Sequence, residues 1–184
     1  MSDLPSIKTA RTILTIAQPT DAEPLLAYQF ENRAHLEPWE PLRTNEFYTL
    51  DADRERLEKS WDAFISGEAL NFIAVDPQSM KIMATCNFTN IVRGAFLSCT
   101  LGYSVAEEWE GQGVMHEVAA AGINYMFEVV GLHRVMACHM PDNIRSERLI
   151  KKLGFEREGY AKSYLKIAGK WQDMVLNSRI NPAP

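Results

Sequence analysis

A chain of 184 residues with 46% hydrophobic and 23% charged residues has the composition of a globular protein with a sizeable core. Its net charge of −5 argues against general nucleic-acid binding, which requires a basic face, and no apolar run reaches the roughly 18 residues of a membrane span. Three cysteines without CxxC spacing favour buried, reduced thiols over a disulfide framework or a zinc site.

The same features give the expected organisation. The sequence begins without the apolar core of a secretory signal, so a cytoplasmic location is expected. We predict one domain over 1–184 with loose ends at 1–8 and 180–184, and no metal, membrane or direct nucleic-acid partner. The oligomeric state is left open.

The first half of the chain predicts a strand, two helices and three further strands. Residues 11–17 alternate as a strand does, and Thr20 to Glu23 has capping-box spacing before a helix that reaches about Arg33. The segment 35–48 contains two prolines and predicts an irregular loop, after which a second amphipathic helix ends near Gly67. The helix stripes are Ala22, Leu25, Leu26 and Phe30 for the first helix, and Leu57, Trp61, Phe64 and Ile65 for the second. The three strands are predicted at 70–75, 81–92 and 96–105.

The second half predicts a long helix, a strand, a short helix and a hairpin. The long helix follows Gly113 and ends at Gly131. Its apolar face comprises Val114, Val118, Ala121, Tyr125, Met126 and Val129. A strand at 133–140, a helix at 146–153 and strands at 155–167 and 170–177 follow. The order βααβββαβαββ therefore predicts a mixed α/β fold with seven strands and four helices, not an alternating doubly wound sheet.

Two glycines, Gly111 and Gly113, separate the strand at 96–105 from the long helix. Free backbone N–H groups at the start of a helix bind anions, and glycine allows a phosphate to approach the backbone closely. A glycine-rich turn without a ligand is the alternative interpretation. A dinucleotide fingerprint fits badly because His116 occupies the position of its third glycine, and the Gly-Lys-Ser/Thr of a Walker loop is absent.

The element order and this loop resemble the Gcn5-related N-acetyltransferases (GNAT) over essentially the whole chain. The pyrophosphate loop of that family, Arg/Gln-x-x-Gly-x-Gly/Ala, is similar to EGQGVM, in which Glu110, Gly113 and Met115 occupy the defining positions. Further segments resemble the RimJ branch of the family: ENRAHLEPWEP (31–41), NFTNIVRGAF (87–96), LGYSV (101–105), MPDNIRSERLIKKLGFEREGYAKSYL (140–165) and GKWQDMVL (169–176).

The resemblance implies a GNAT fold with a mostly antiparallel central sheet and a direct attack of an amine on acetyl-CoA. For this branch it implies that the acceptor is the amino-terminal alanine of the fifth small-subunit ribosomal protein. Two alternatives remain: an N-acetyltransferase that acts on small amines or antibiotics, and a non-catalytic coenzyme A-binding factor of ribosome assembly.

The resemblance also assigns residues to acetyl-CoA. The implied binding residues are Tyr103, Ser104, Val105, Glu110, Gly111, Gln112, Gly113, Val114, Met115, Asn143 and Ser146. The side chains of Tyr103 and Val105 are interpreted as core packing, and Asn143 and Ser146 also suit a helix cap. Ser146 is the implied proton donor to the thiolate, because Ile150 stands where many relatives have a tyrosine.

On the acceptor side, Glu40 is the predicted proton acceptor, acting through water, and His139 is the alternative. No strong base is required because an α-amine has a pKa of roughly 7.7–8.0. Trp39, Arg43 and His139 are the predicted substrate-binding residues. The basic group Arg145, Arg148, Lys151 and Lys152 either contacts the nucleotide phosphate or forms a solvated helix face.

Overall fold

A computed structural model describes residues 4–183, and its elements are as follows. The strands are β1 (Ser6–Lys8), β2 (Ile13–Ile16), β3 (Leu70–Val75), β4 (Ile82–Val92), β5 (Ser98–Val105), β6 (Arg134–His139), β7 (Glu156–Ile167) and β8 (Lys170–Ile180). The helices are α1 (Ala22–Glu31), α2 (Arg33–Leu36), α3 (Leu50–Ile65), α4 (Val114–Glu128) and α5 (Ile144–Lys152). Short 3₁₀ turns occupy 19–21, 37–39, 45–48 and 107–109.

The described strands form one sheet in the order β1-β2-β3-β4-β5-β6-β8-β7, and all neighbours are antiparallel except β5 and β6. The mixed, mostly antiparallel sheet is therefore confirmed. The parallel pairing extends over three residue pairs, from Ser98 with Arg134 to Thr100 with Met136. Since β5 continues to Val105 and β6 to His139 without further pairing, a gap opens between the carboxyl ends of the two strands.

The alternation of side chains along β3 divides the core between two clusters. Phe72 belongs to the larger cluster, together with Val118 and Ile123 of α4, whereas Ile73 belongs to a smaller cluster with Leu57 of α3. In the larger cluster α4 packs tightly on β4 through Gly122. A Cβ at this position would lie 2.8 Å from the Phe88 ring, so glycine lets the helix approach the sheet. This packing fixes the position of the amino terminus of α4 beside β5.

The strand count and the predicted loose ends require correction. The structure has eight strands instead of seven, because Ser6–Lys8 pairs with β2 inside a segment predicted to be loose. Three residues are too few to show a strand alternation in the sequence, although Ile7 packs against the core. Ile180 likewise belongs to β8 and not to a loose end. Residues 1–3 and 184 lie outside the described part.

The helix predictions differ from the structure in two places. The segment 35–48, predicted as an irregular loop, contains the end of α2 and two 3₁₀ turns, so the described residues hold five helices where four were predicted. The predicted capping box at Thr20 to Glu23 is wrong, because a 3₁₀ turn precedes α1. The Gln18 backbone N–H instead donates to Asp21 Oδ2 at 2.8 Å, and the Asp21 N–H donates back to the Gln18 carbonyl at 2.9 Å.

Three apolar residues that were predicted to face the core are exposed: Phe30, Ile65 and Val129. Each lies in the last turn of its helix or directly after it, where the helical geometry assumed by the periodicity is ending. Phe30 instead packs edge-on against Tyr48, with a centroid distance of 6.2 Å. Among the cysteines, Cys86 and Cys99 are buried and Cys138 is half-buried.

Candidate active site

A cavity of about 470 Å³ lies beyond the paired part of β5, where β5 and β6 separate, and is here called the β5–β6 cleft; β6 itself contributes no residue to its lining. One wall comes from the end of β5 and from the loop at 110–113, here called the glycine loop. The other wall comes from the start of α5. The predicted coenzyme-binding residues in its lining are Tyr103, Ser104, Val105, Glu110, Gly111, Gly113, Met115, Asn143 and Ser146. Gln112 and Val114 are not part of the lining: Gln112 donates to the Glu108 carbonyl at 2.6 Å, and Val114 is buried in the core.

The backbone of the glycine loop adopts a conformation that is unfavourable for residues other than glycine. Gly111 and Gly113 have φ angles of +72° and +80°, in the left-handed region that glycine enters without strain. Gly113 is the N-cap of α4, and no side chain caps this helix end. The first-turn N–H groups of α4 therefore lack intrahelical partners at the edge of the cleft, an arrangement that is suited to binding an anion.

Arg11, which was not predicted to belong to the site, holds this loop in place. Its guanidinium donates to the Gln112 carbonyl at 2.8 Å and to Glu117 Oε2 at 2.9 Å, while its backbone N–H donates to Glu117 Oε1 at 2.8 Å. The start of the chain is thus tied to the first turn of α4. No local pattern indicates this contact, because the two segments are about a hundred residues apart.

The opposite wall of the cleft is the first turn of α5. The Ser146 backbone N–H donates to Asn143 Oδ1 at 3.0 Å, so Asn143 caps the helix. The Ser146 hydroxyl is hydrogen-bonded to the Tyr103 hydroxyl, with an O–O distance of 2.6 Å. Tyr103 packs against the core, as interpreted, but its hydroxyl reaches the cleft, and burial raises its pKa to about 12. Ile150 is buried and offers no proton.

Three of the four basic residues on α5 line the cleft. Arg145, Arg148 and Lys152 belong to the lining, whereas Lys151 pairs with Glu147 at 2.7 Å. Arg145 forms an ion pair with Glu110 of the glycine loop. The cleft therefore combines unpaired amides on one wall with positive charge on the other.

Contacts around this ion pair join α5 and the glycine loop to the loop that precedes α3. The Arg145 guanidinium lies 5.7 Å from the centroid of the Trp39 ring. On the other side, His35 Nε2 of α2 lies 3.3 Å from Glu110 Oε2. Trp39 thus lines the β5–β6 cleft rather than a separate acceptor slot.

A second cavity of about 300 Å³ lies between α1, α3 and strands β3 to β5 and is here called the α1–α3 cavity. Arg43 lines it, together with other arginines stacked on aromatic rings. The distances from guanidinium carbon to ring centroid are 4.4 Å for Arg33 over Tyr48, 4.4 Å for Arg43 over Phe47 and 3.7 Å for Arg56 over Phe47. The Arg56 guanidinium is also paired with the buried carboxylate of Asp53. Arg43 Nε is buried without a hydrogen-bond partner among the described residues.

The two cavities meet at Glu40, which lines both, as do Leu36 and Ser104. Burial raises the pKa of Glu40, and the positive charge of Arg43 partly opposes that increase. The Glu40 carbonyl accepts a hydrogen bond from the Ala168 N–H at 2.8 Å, which ties this loop to the turn between β7 and β8. A carboxylate with a raised pKa at such a junction is a suitable proton acceptor.

A chain of hydroxyl groups lies beside Glu40. The Ser104 hydroxyl is hydrogen-bonded to Tyr28 and to Thr85, at 2.8 Å each. Burial raises the pKa of Tyr28, and the charge of Glu40 adds to the increase. Tyr28 was missed by sequence reasoning, because it was not part of the apolar stripe read from α1.

The structure does not bring His139 to this site. Its side chain is buried, Nδ1 lies 2.9 Å from the Met140 carbonyl oxygen, and it lines neither cavity. Of the two predicted proton acceptors, only Glu40 lies where the cavities meet.

Two further features of residues 4–183 bear on the class of site. They contain no group of three or more His, Cys, Asp or Glu residues arranged to hold a metal ion. None of the helices in this range combines the length and the apolar character needed to cross a membrane.

Comparisons with known proteins show the family of this chain. The family model described as an acetyltransferase (GNAT) domain matches residues 11–156. The [ribosomal protein uS5]-alanine N-acetyltransferase of Escherichia coli (strain K12) is 40% identical over 183 residues, covering 98% of this chain and 94% of that protein. The probable N-acetyltransferase YjcK of Bacillus subtilis (strain 168) is 32% identical, with coverage of 89% and 90%.

A solved structure gives the same result at the level of the fold. The ribosomal-protein-S5-alanine acetyltransferase from Vibrio fischeri matches with a TM-score of 0.93 and 35% identity, covering 97% of this chain and 98% of that one. Because both the family model and these relatives span most of the sequence, the chain belongs to the GNAT acetyltransferase family.

Proposed function

We propose that this enzyme transfers the acetyl group of acetyl-CoA to the free α-amine of a protein that begins with alanine, namely ribosomal protein uS5. The observation that carries the proposal is the meeting of the β5–β6 cleft and the α1–α3 cavity at Glu40 and Ser104. A thioester in the cleft and an amine in the cavity would meet at this junction. Relatives named for this reaction match the chain over nearly its whole length.

Three features of the β5–β6 cleft support the binding of acetyl-CoA there. The unpaired amides at the start of α4 suit the diphosphate, and the positive φ angles of Gly111 and Gly113 let the backbone approach it. The side of β5 that faces β6 is unpaired beyond Thr100, so the pantetheine arm can bind there as an added strand does. Arg148 and Lys152 supply positive charge for the remaining phosphate.

The reaction is a direct attack. The amine nitrogen adds to the thioester carbonyl carbon, and a backbone N–H of β5 stabilises the oxyanion. The C–S bond then breaks with its electron pair on sulfur, while the amine proton passes through water to Glu40. Burial makes Glu40 a stronger base than an exposed carboxylate, and a partly neutral α-amine needs no more than that. Ser146 donates a proton toward the departing thiolate.

The acceptor side suits a protein amino terminus with a small first residue. A flexible chain end can enter beside the separated strands, and an alanine side chain needs little of a cavity of about 300 Å³. The net charge of −5 favours the approach of a basic ribosomal protein, as a modest and salt-sensitive effect. Ribosomal proteins are made in the cytoplasm, so the proposed acceptor supports a cytoplasmic location for the reaction.

The test is coenzyme A release on mixing the enzyme with acetyl-CoA and one of three acceptors. These are a peptide with a free amino-terminal alanine, the same peptide with a blocked amino terminus and an internal lysine, and a set of small polyamines. We expect turnover with the first peptide, and mass spectrometry should place the acetyl group on its α-amine. Acetylation of lysine or small amines alone would contradict the acceptor assignment, and tight binding without turnover would contradict catalysis.

A further inference from the structure

The hydrogen bond between Tyr103 and Ser146 joins the two walls of the β5–β6 cleft. It connects the carboxyl end of β5 to the first turn of α5, with an O–O distance of 2.6 Å. Both residues line the cleft, so the pair faces the space assigned to acetyl-CoA.

The Ser146 hydroxyl depends on Tyr103 for its orientation. Asn143 Oδ1 accepts from the Ser146 backbone N–H and does not bind its hydroxyl. Within residues 4–183, Tyr103 is the one hydrogen-bond partner of Ser146 Oγ, and Ser146 is the one partner of the Tyr103 hydroxyl. A serine hydroxyl has one proton, so a serine that donates toward sulfur can accept from the phenol behind it.

Serine alone is a poor proton donor, because its hydroxyl is a much weaker acid than a thiol or a phenol. If Ser146 gave its proton to the thiolate without replacement, an alkoxide would remain in a partly buried site. With Tyr103 behind it, the negative charge moves to a phenol oxygen. Burial raises the pKa of Tyr103, so the phenol carries its proton before the reaction and can act as a hydrogen-bond donor to Ser146.

We propose that Tyr103 is a positioning residue that supplies the proton for coenzyme A release through Ser146, an inference that rests on the proposed acetyltransferase function. As the C–S bond of the tetrahedral intermediate breaks, its electron pair goes to sulfur. Sulfur takes the Ser146 hydroxyl proton, and Ser146 Oγ takes the phenolic proton of Tyr103. Solvent then returns a proton to the phenolate, which balances the proton that the amine releases on the other side.

The experiment compares Tyr103→Phe, Ser146→Ala and the double variant, using the alanine-starting peptide. Tyr103→Phe keeps the ring that packs on the core and removes only the hydroxyl, so the fold should be retained. Tyr160→Phe is the matched control, because its hydroxyl is bound to Asp173 at 2.7 Å and does not line the cleft. We expect kcat to fall by about tenfold in Tyr103→Phe with acetyl-CoA affinity within about twofold of wild type. The double variant should be no slower than Ser146→Ala, because the two groups act as one unit.

A second measurement separates proton supply from a structural role. The kcat/KM of each enzyme is determined with acetyl thioesters whose leaving thiols have decreasing pKa. A thiol of low pKa leaves without protonation, so the defect of Tyr103→Phe should shrink along this series. An unchanged kcat in Tyr103→Phe, or a defect of equal size with every thioester, would overturn the inference. In that case, turnover by the wild-type enzyme would still support the proposed function. A wild-type enzyme without turnover on any amine would overturn the proposed function and, with it, this inference.

Discussion

The two cavities that meet at Glu40 are built from different parts of the chain. The β5–β6 cleft presents backbone groups: the first-turn amides of α4, the unpaired side of β5 and a loop with two left-handed glycines. The α1–α3 cavity presents side chains, among them Arg43 stacked on Phe47. Backbone groups bind the same ligand in any sequence that keeps the geometry, whereas a side-chain lining changes with each substitution. We infer that the cleft sets the acetyl donor and the cavity sets the acceptor.

Gly113→Asp should have the largest effect, and it should act on the cleft alone. The substitution places a side chain at a φ angle of +80° and a negative charge beside the diphosphate site. We expect the Kd for acetyl-CoA, measured by calorimetry, to rise by at least about tenfold, which corresponds to about 1.4 kcal/mol. Gly131→Asp is the control, because its φ angle is +76° but it lies outside the cleft lining. Unchanged affinity in a folded Gly113→Asp enzyme would contradict the loop assignment.

Glu40→Gln probes the junction of the two regions. The amide keeps the shape of the side chain but cannot accept the proton of the amine. Turnover should fall by about tenfold, while the Kd for acetyl-CoA changes by less than about twofold. The control is Glu37→Gln, because Glu37 is exposed, lies in the same segment and lines neither cavity. Turnover of this variant should equal that of the wild type. Full activity of Glu40→Gln from about pH 6 to about pH 9 would remove this residue from the mechanism.

Arg43→Met tests the electrostatic link between the cavity and the junction. Arg43 lowers the pKa of Glu40 against the effect of burial, so its removal should raise that pKa further. Because Glu40 accepts a proton only when ionised, the acidic limb of kcat/KM should move to higher pH. We expect a loss of about three- to tenfold on the acidic side and a smaller one on the alkaline side.

The control for Arg43→Met is Arg33→Met, which removes a second stacked guanidinium from the same cavity. The charge that opposes the effect of burial on the Glu40 pKa comes from Arg43. The acidic limb of the kcat/KM profile should therefore stay at the wild-type pH in Arg33→Met. A uniform loss at every pH in Arg43→Met would show that Arg43 acts through the acceptor and not through Glu40.

Glu110→Gln should have the smallest effect, and in the opposite direction. Glu110 pairs with Arg145 at the edge of the cleft, where its charge opposes that of the incoming diphosphate. Its removal should tighten acetyl-CoA binding by about two- to fivefold at low salt, with a smaller gain at high salt. Glu108→Gln changes the net charge equally but lies outside the lining, so it separates the local effect from the global one. Weaker binding would show that Glu110 contributes by holding Arg145 in position.

Sequence reasoning predicted residues that line the β5–β6 cleft more completely than residues that line the α1–α3 cavity. The glycine loop and the Asn143-x-x-Ser146 pattern are local signals, since each depends on residues a few positions apart. The Tyr103–Ser146 hydrogen bond spans 43 positions, and the interpretation of Tyr103 as a packing residue described only its ring. A hydroxyl at the end of a core side chain leaves no trace in the hydrophobic pattern.

The α1–α3 cavity shows why the rest was not predictable. It is formed where three helices, a loop and three strands converge, so no single segment carries its pattern. The helix stripe in α1 predicted Phe30 as inward-facing, but Tyr28 is the buried aromatic residue and is bound to Ser104. Periodicity locates the face of a helix but not which side chains of that face line a cavity.

The short pairing of β5 with β6 also determines how the enzyme should respond to its ligand. β5 and β6 are paired over three residue pairs, whereas β4 and β5 are paired over seven. A ligand that binds along the unpaired part of β5 would therefore extend the sheet there. Because acetyl-CoA binds only the folded chain, it should raise the melting temperature in proportion to the logarithm of its concentration. In hydrogen exchange, the amides of 101–105 that face β6 should become protected when acetyl-CoA binds. Those of 98–100 that face β6 are already protected by the pairing of β5 with β6.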